Sequence, residues 1–215
     1  MNAAVNIVLG ILDVFALFAL MYKTFRLPYK EYLTEISIIS VAVSLLSFVL
    51  REVLKLPSIL DIVLHWPLYI IFLRYLIKIR VWRAFIVSLT YFGYGALSFI
   101  VYTIYSKLGA FQIDSGDIAP VSIQITQIIA AFLIAYLLHY TGFGFKFIIR
   151  PPHDFIIKAV MTKKDRNIMI ATAIVGIISF VCFTLVLDYK LFQVIPLILI
   201  GFIILIYLGY RRDMQ

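Results

Sequence analysis

The sequence predicts an all-α fold, a polytopic transmembrane bundle of seven helices with the N-terminus outside and the C-terminus inside. Three observations carry this prediction. The 215 residues are 64% hydrophobic and 14% charged, with a mean hydropathy of +1.06, whereas soluble domains run about 45–50% apolar and 25% charged. The apolar residues gather into stretches of roughly 20, the length that crosses about 30 Å of hydrocarbon. Lys and Arg then fall almost entirely on one side of the layout that results.

The stretches run over residues 3–22, 36–53, 58–77, 84–106, 121–140, 168–187 and 191–210, within a single transmembrane domain covering 1–215. The first has no basic region before it and no small-residue cleavage pattern, so it reads as a retained helix rather than a signal peptide. The second is the shortest and the third the most polar, which leaves a re-entrant hairpin as the competing reading for that pair. Charge favours two full spans. With seven spans, one face receives Lys23, Arg26 and Lys30, then Arg74 to Arg83, then Lys146 to Arg166, then Arg211 and Arg212, fifteen basic residues in all. The opposite face receives four, Arg51, Lys55, Lys107 and Lys190. A basic excess marks the cytoplasmic side. The net charge of +8 is thus a topology signal and an attraction to anionic membrane lipids, with no nucleic-acid partner implied.

Side chains three and four apart share a helix face, so polar residues inside the spans can be tested for a common direction. Ser37, Ser40, Ser44, Ser47, Arg51 and Lys55 form one stripe on the second span. Ser58, Asp61, His65 and Tyr69 form one on the third, and Tyr91, Tyr94, Ser98, Tyr102 and Tyr105 one on the fourth. On the fifth, Gln124 and Gln127 align with the small Ala131 and Ala135; on the first, Asn2, Asn6 and Asp13 share a face. The seventh is apolar nearly all round, with Gln193 and Pro196 near its outer end. Small and hydroxyl residues ordinarily mark helix contacts in membranes. Ionisable ones at depth cost at least about 2.5–3.5 kcal/mol and mark a cavity or a functional pair. In the predicted orientation only Asp13 is central, and Arg51, Glu52, Asp61, His65, Gln124 and Gln127 lie toward the outer leaflet.

The loops are spare. The outer segment from Lys107 to Pro120 holds Asp114 and Asp117 but no EF-hand spacing, and reads as a solvated turn. The inner connection from Thr141 to Asn167 contains Pro151, Pro152 and Asp154, which could cap a short interfacial helix; a solvated basic loop is the other reading. One cysteine and three histidines exclude a disulfide framework or thiolate cluster, and no metal or other cofactor is expected. Cys182 sits in an apolar stretch, where a thiolate is disfavoured. Asp61 and His65 are four apart, but no HExxH, GxSxG, paired-carboxylate or phosphate-loop motif accompanies them. The sequence does not read as an enzyme.

The layout of closely spaced spans, short outer loops, an outside N-terminus and the Arg-rich step Leu208-Gly209-Tyr210-Arg211-Arg212-Asp213 resembles the N-terminal membrane sensor region of agr-type peptide-sensing histidine kinases of Gram-positive bacteria. Those kinases continue into a dimerisation helix and an ATP-binding domain, which this sequence lacks. The resemblance therefore implies a sensor module alone, or a receptor-like relative that signals through a partner. The agr-type membrane peptidase is a second neighbour of such systems, but its catalytic Cys and His pair has no counterpart here.

Together these readings predict a sensor or receptor-like protein of the cell membrane that accepts a small peptide or amphipathic ligand from outside. The ligand-binding residues expected are Arg51, Asp61, His65, Tyr102, Tyr105, Gln124 and Gln127. A homodimer, or a signalling or energising partner protein, would complete it. The alternatives are the substrate-binding component of a small-solute transporter and a structural accessory subunit.

Overall fold

The computed structural model describes residues 3–56, 58–108, 121–145 and 162–186, with 203–204, 206–208 and 210–211 near the end of the chain. Among these residues every regular element is helical. The helices are α1 (Ala3–Thr24), α2 (Leu33–Phe48), α3 (Ser58–Tyr75), α4 (Val81–Ser88), α5 (Thr90–Lys107), α6 (Val121–Thr141) and α7 (Lys163–Val186). A 3₁₀ turn, Tyr29–Tyr32, leads into α2, and a π turn, Val49–Val53, continues it. Helices thus overlie the first six predicted stretches. The predicted fourth is two helices, because the ladder breaks at Leu89 between Ser88 and Thr90, although Phe92 N–H still donates to the Leu89 carbonyl at 2.9 Å. Of the seventh, the residues described are helical; 187–202 lie outside the described residues, as do most of the outer loop from 109 to 120, residues 146–161 with Asp154, and Asn2.

Among the described residues, four helical segments are long and apolar enough to cross a membrane: Ala4–Thr24, Tyr29–Val53, Val81–Tyr105 and Val121–Thr141. Their outward surfaces carry exposed Val8, Ile38, Leu45, Ile129 and Leu133. An apolar exterior of this kind, with the backbone satisfied inside each helix, is what hydrocarbon requires.

The centre of the bundle is α1. It packs against α2, α5 and α6, while α3 pairs with α4, and α4 with α7. From Ala16 to Tyr22 every residue of α1 is buried, so this half of the helix is enclosed on all sides. Close approach depends on small residues. Ala131 and Ala135 of α6 are buried on the α1 side of the core, and Gly10 of α1 faces Ser44 of α2, whose hydroxyl donates to the Ile7 carbonyl at 2.8 Å. Aromatic edges lock the core, with Phe18 against Tyr69 at 5.6 Å and against Phe72 at 5.1 Å.

Three of the turns reverse through a basic residue in the left-handed region: Arg26 (φ 51), Lys55 (φ 49) and Lys78 (φ 60). Each follows a helix C-terminus, where a cation complements the helix dipole. The backbone closes over each in the same way, by Leu27 N–H to Tyr22, Leu56 N–H to Leu50 and Ile79 N–H to Leu73. The exit from α6 is tied to the exit from α1: Phe145 N–H donates to the Thr24 carbonyl at 2.7 Å, and the Arg26 guanidinium donates to the Gly142 carbonyl. Gly144 (φ 151) permits this, because a Cβ there would stand 2.9 Å from the Lys23 and Thr24 carbonyl oxygens.

The Gly10 to Ser44 contact is open to test. A Cβ on Gly10 would meet the Ser44 hydroxyl at 2.5 Å, so Gly10→Ala is expected to destabilise the bundle by about 1–3 kcal/mol. Ser44→Ala alone should cost about 0.6 kcal/mol. The double variant should be more stable than Gly10→Ala alone, because the clashing atom is gone. Unfolding of the three variants in detergent micelles measures the comparison.

Candidate functional site

The polar stripes converge on one buried carboxylate. Asp61, on the first turns of α3, is 1% exposed. Its Oδ2 accepts a hydrogen bond from Ser47 of α2 at 3.0 Å and an ion pair from the Arg51 guanidinium. Arg51 reaches it from the π turn Val49–Val53 that continues α2, four residues beyond Ser47 and on the same stripe. The Arg51 side chain stays 49% exposed. His65, one turn further along α3, brings its Nε2 to 3.3 Å from the other Asp61 oxygen. That approach is off-line for hydrogen bonding, so Asp61 Oδ1 and His65 Nε2 are both buried without a hydrogen-bond partner.

A second polar group lies deeper, between α1, α5 and α6. The Tyr94 hydroxyl donates to Asp13 Oδ1 at 2.5 Å and is itself hydrogen-bonded by Gln127. Tyr69 and Tyr91 bridge the two centres. Their rings are 5.3 Å apart, both hydroxyls lie within electrostatic reach of Asp13 and Asp61, and Arg51 interacts with Asp13 as well. The result is a buried polar network from an exposed guanidinium at one end of α2 to a carboxylate in the middle of α1. A charge in such surroundings needs a partner: Asp61 has the Arg51 ion pair, and Asp13 has the Tyr94 hydroxyl.

Of the residues singled out from the sequence, Arg51, Asp61 and His65 come together directly, and Gln127 joins through Tyr94. Tyr105 belongs to the seam between α5 and α6, where its hydroxyl shares a 2.8 Å hydrogen bond with Thr126, and Gln124 is half-buried on α6. Tyr102, also half-buried, lies between Tyr94 and Tyr105 along α5. Five members of the network were absent from the sequence-derived set: Asp13, Ser47, Tyr69, Tyr91 and Tyr94. Each stands on one of the polar stripes, and Asp13 is the sole ionisable residue at the centre of a predicted span, so the signal was present. What the stripes do not encode is which of them face one another. Ser37 and Ser40 bond instead to carbonyls one turn back in their own helix, at 2.7 Å each.

One apolar contact joins this site to α7. Trp66, beside His65, donates its indole N–H to the Ser88 hydroxyl at 3.0 Å, and its ring lies where a Cβ on Gly176 of α7 would touch it at 3.4 Å. Cys182 also lies on α7. Among the described residues no three His, Cys, Asp or Glu side chains gather as metal ligands would. No family model, no curated protein and no solved structure matches the chain.

The pairing of Asp61 predicts a non-additive result. Arg51→Ala leaves a buried carboxylate with one neutral donor, Ser47, and should destabilise the bundle by about 1–3 kcal/mol. Asp61→Asn removes the charge that needs Arg51. The double variant is therefore expected to recover at least half of the loss seen in Arg51→Ala, as measured by a double-mutant cycle on unfolding.

Proposed function

We propose that the chain is a seven-span sensor or receptor-like protein of the cell membrane, N-terminus outside and C-terminus inside, that takes a small peptide or amphipathic ligand at the outer ends of α2, α3 and α5. The observation that carries this reading is the half-exposed Arg51 on the fully buried Asp61. A half-exposed guanidinium can exchange its internal carboxylate for a ligand's carboxylate or carbonyl with little loss of pairing. The atoms then released, together with the unbonded Asp61 Oδ1 and His65 Nε2, have capacity for polar groups of the same ligand. Tyr69 and Tyr91 offer apolar faces with polar edges behind them. A ligand that moves α3 also moves Trp66 on Ser88 and Gly176, which provides a route by small helix shifts to α7 and the cytosolic side, where a partner protein would read the change. The resemblance to the sensor region of agr-type kinases agrees with this reading.

The second reading, a component of a small-solute transporter, is favoured by the depth of the network, since linked ionisable groups reaching mid-bundle also mark substrate and proton paths. The two separate experimentally. In nanodiscs, a receptor is expected to bind a member of a panel of labelled amphipathic peptides with an affinity that falls at least tenfold in Arg51→Ala and Asp61→Asn, equivalent to about 1.4 kcal/mol. Solute uptake into proteoliposomes, with no such peptide binding, would favour transport. Unchanged binding in both variants would remove the site assignment.

Orientation is tested in a Cys182→Ser background with a membrane-impermeant maleimide. The basic distribution places exposed Leu108 outside and exposed Lys78 inside. Leu108→Cys should label in whole cells, and Lys78→Cys only after the membrane is opened. The reverse pattern, or labelling of both in whole cells, would contradict the seven-span arrangement.

A further inference from the structure

At the end of α1 and α2 opposite Arg51, the turn between the helices gathers three tyrosines and the carboxylate of Glu35, with Lys30 and Glu31 exposed on the same turn. Tyr22 closes α1 and is 0% exposed. Tyr29 and Tyr32 belong to the 3₁₀ turn, and Glu35 lies in the first turn of α2. The Tyr22 ring meets Tyr29 edge-on at 5.8 Å and Tyr32 at 6.1 Å, and the Tyr22 hydroxyl is within electrostatic reach of Glu35. Two polar atoms here are unused. The Tyr22 hydroxyl and Glu35 Oε2 are both buried, and among the described residues neither makes a hydrogen bond.

Tyrosines at the ends of spans ordinarily form an interfacial belt, apolar ring inward and hydroxyl in water. Tyr22 departs from that pattern, because its hydroxyl is enclosed. A buried carboxylate oxygen and a buried phenol oxygen, each without a donor, cost free energy until something supplies one. The group that fits is a cation with several N–H donors, since it would bond Glu35 and Tyr22 at once while the surrounding ring faces attract its charge. We infer that Tyr22, Tyr29, Tyr32 and Glu35 form a site for a primary ammonium, and that its occupant is the headgroup amine of a phosphatidylethanolamine-type lipid. A primary ammonium carries three N–H donors; a trimethylammonium carries the charge but none. The turn that holds the site joins two segments long and apolar enough to cross a membrane, Ala4–Thr24 and Tyr29–Val53, so it lies at headgroup depth whichever leaflet it faces. Lys30, the ammonium of the turn itself, is exposed, and beyond the chain a lipid amine is the supply nearest to the site. This site is independent of the ligand reading for Arg51.

The test uses the full chain reconstituted in membranes of equimolar phosphatidylethanolamine, phosphatidylcholine and phosphatidylglycerol, then extracted so that native mass spectrometry counts the lipids retained. The wild type is expected to prefer phosphatidylethanolamine over phosphatidylcholine roughly tenfold, the ratio that one charge-assisted hydrogen bond supplies. Glu35→Gln and Tyr22→Phe should each bring the ratio toward one. Stepwise N-methylation of the amine should lower retention at each step. Melting in phosphatidylcholine alone shows whether each variant is folded, and two variants of different chemistry guard against the failure of one. Equal retention of the two lipids by the wild type, a wild-type ratio in both folded variants, or a flat response to methylation would overturn the proposal. So would stabilisation by a soluble lysine peptide with none by phosphatidylethanolamine, which would make the occupant a protein.

Discussion

A carboxylate held out of water inside an apolar bundle dictates what surrounds it, and Asp61 is that carboxylate. An unpaired charge in such a medium costs far more than any single packing contact contributes. Donors must therefore come from neighbouring helices. Ser47 comes from the last turns of α2 and Arg51 from its π turn, so α2 and α3 are fixed relative to each other in angle and depth. Ser47 and Arg51 are four residues apart on one stripe, and the π turn Val49–Val53 carries the second of them. Asp13 sets a parallel condition in the middle of α1, where Tyr94 and Gln127 bring α5 and α6 into line.

The apolar core serves these two centres by bringing backbones close. Gly10 and Ser44 let α1 and α2 touch, and Ala131 and Ala135 do the same for α6. Between the polar centres the packing is aromatic, Phe18, Tyr69 and Tyr91 in succession. Rings are rigid fillers that also present hydroxyls, so one layer separates the carboxylates sterically and links them electrically. The enclosed stretch of α1, Ala16 to Tyr22, follows from this arrangement, while Val5, Val8 and Leu12 earlier in the helix stay exposed.

Helicity, the apolar class of the chain and the positions of the helices were legible in the sequence, because length, composition and period are local properties. The polar stripes were legible for the same reason, and every member of the Asp61 and Asp13 network stands on one of them. Other features were not. The break at Leu89 leaves no proline or glycine at the position to announce it, and left-handed turns at Arg26, Lys55 and Lys78 occur where glycine would be the usual signal. Tyr105 and Gln124 looked equivalent to Tyr94 and Gln127 on their helical faces. The packing of α5 on α6 separated them, with the Tyr105 hydroxyl turned to Thr126.

By itself, the sequence determined that this chain is helical and apolar enough for a membrane, and which side chains share each helix face, since neighbours three or four apart are set by the helix alone. The tertiary structure decided which faces meet. It joined Asp61 to Arg51 rather than leaving each on its own stripe, sent Tyr94 to Asp13 across 81 residues, and enclosed the Tyr22 hydroxyl beside Glu35 instead of at the water line. The physical reason is that a stripe records only that a helix has a polar side. The partner of that side is chosen by the joint need of all the helices to satisfy buried charge and hydrogen-bonding groups without leaving voids.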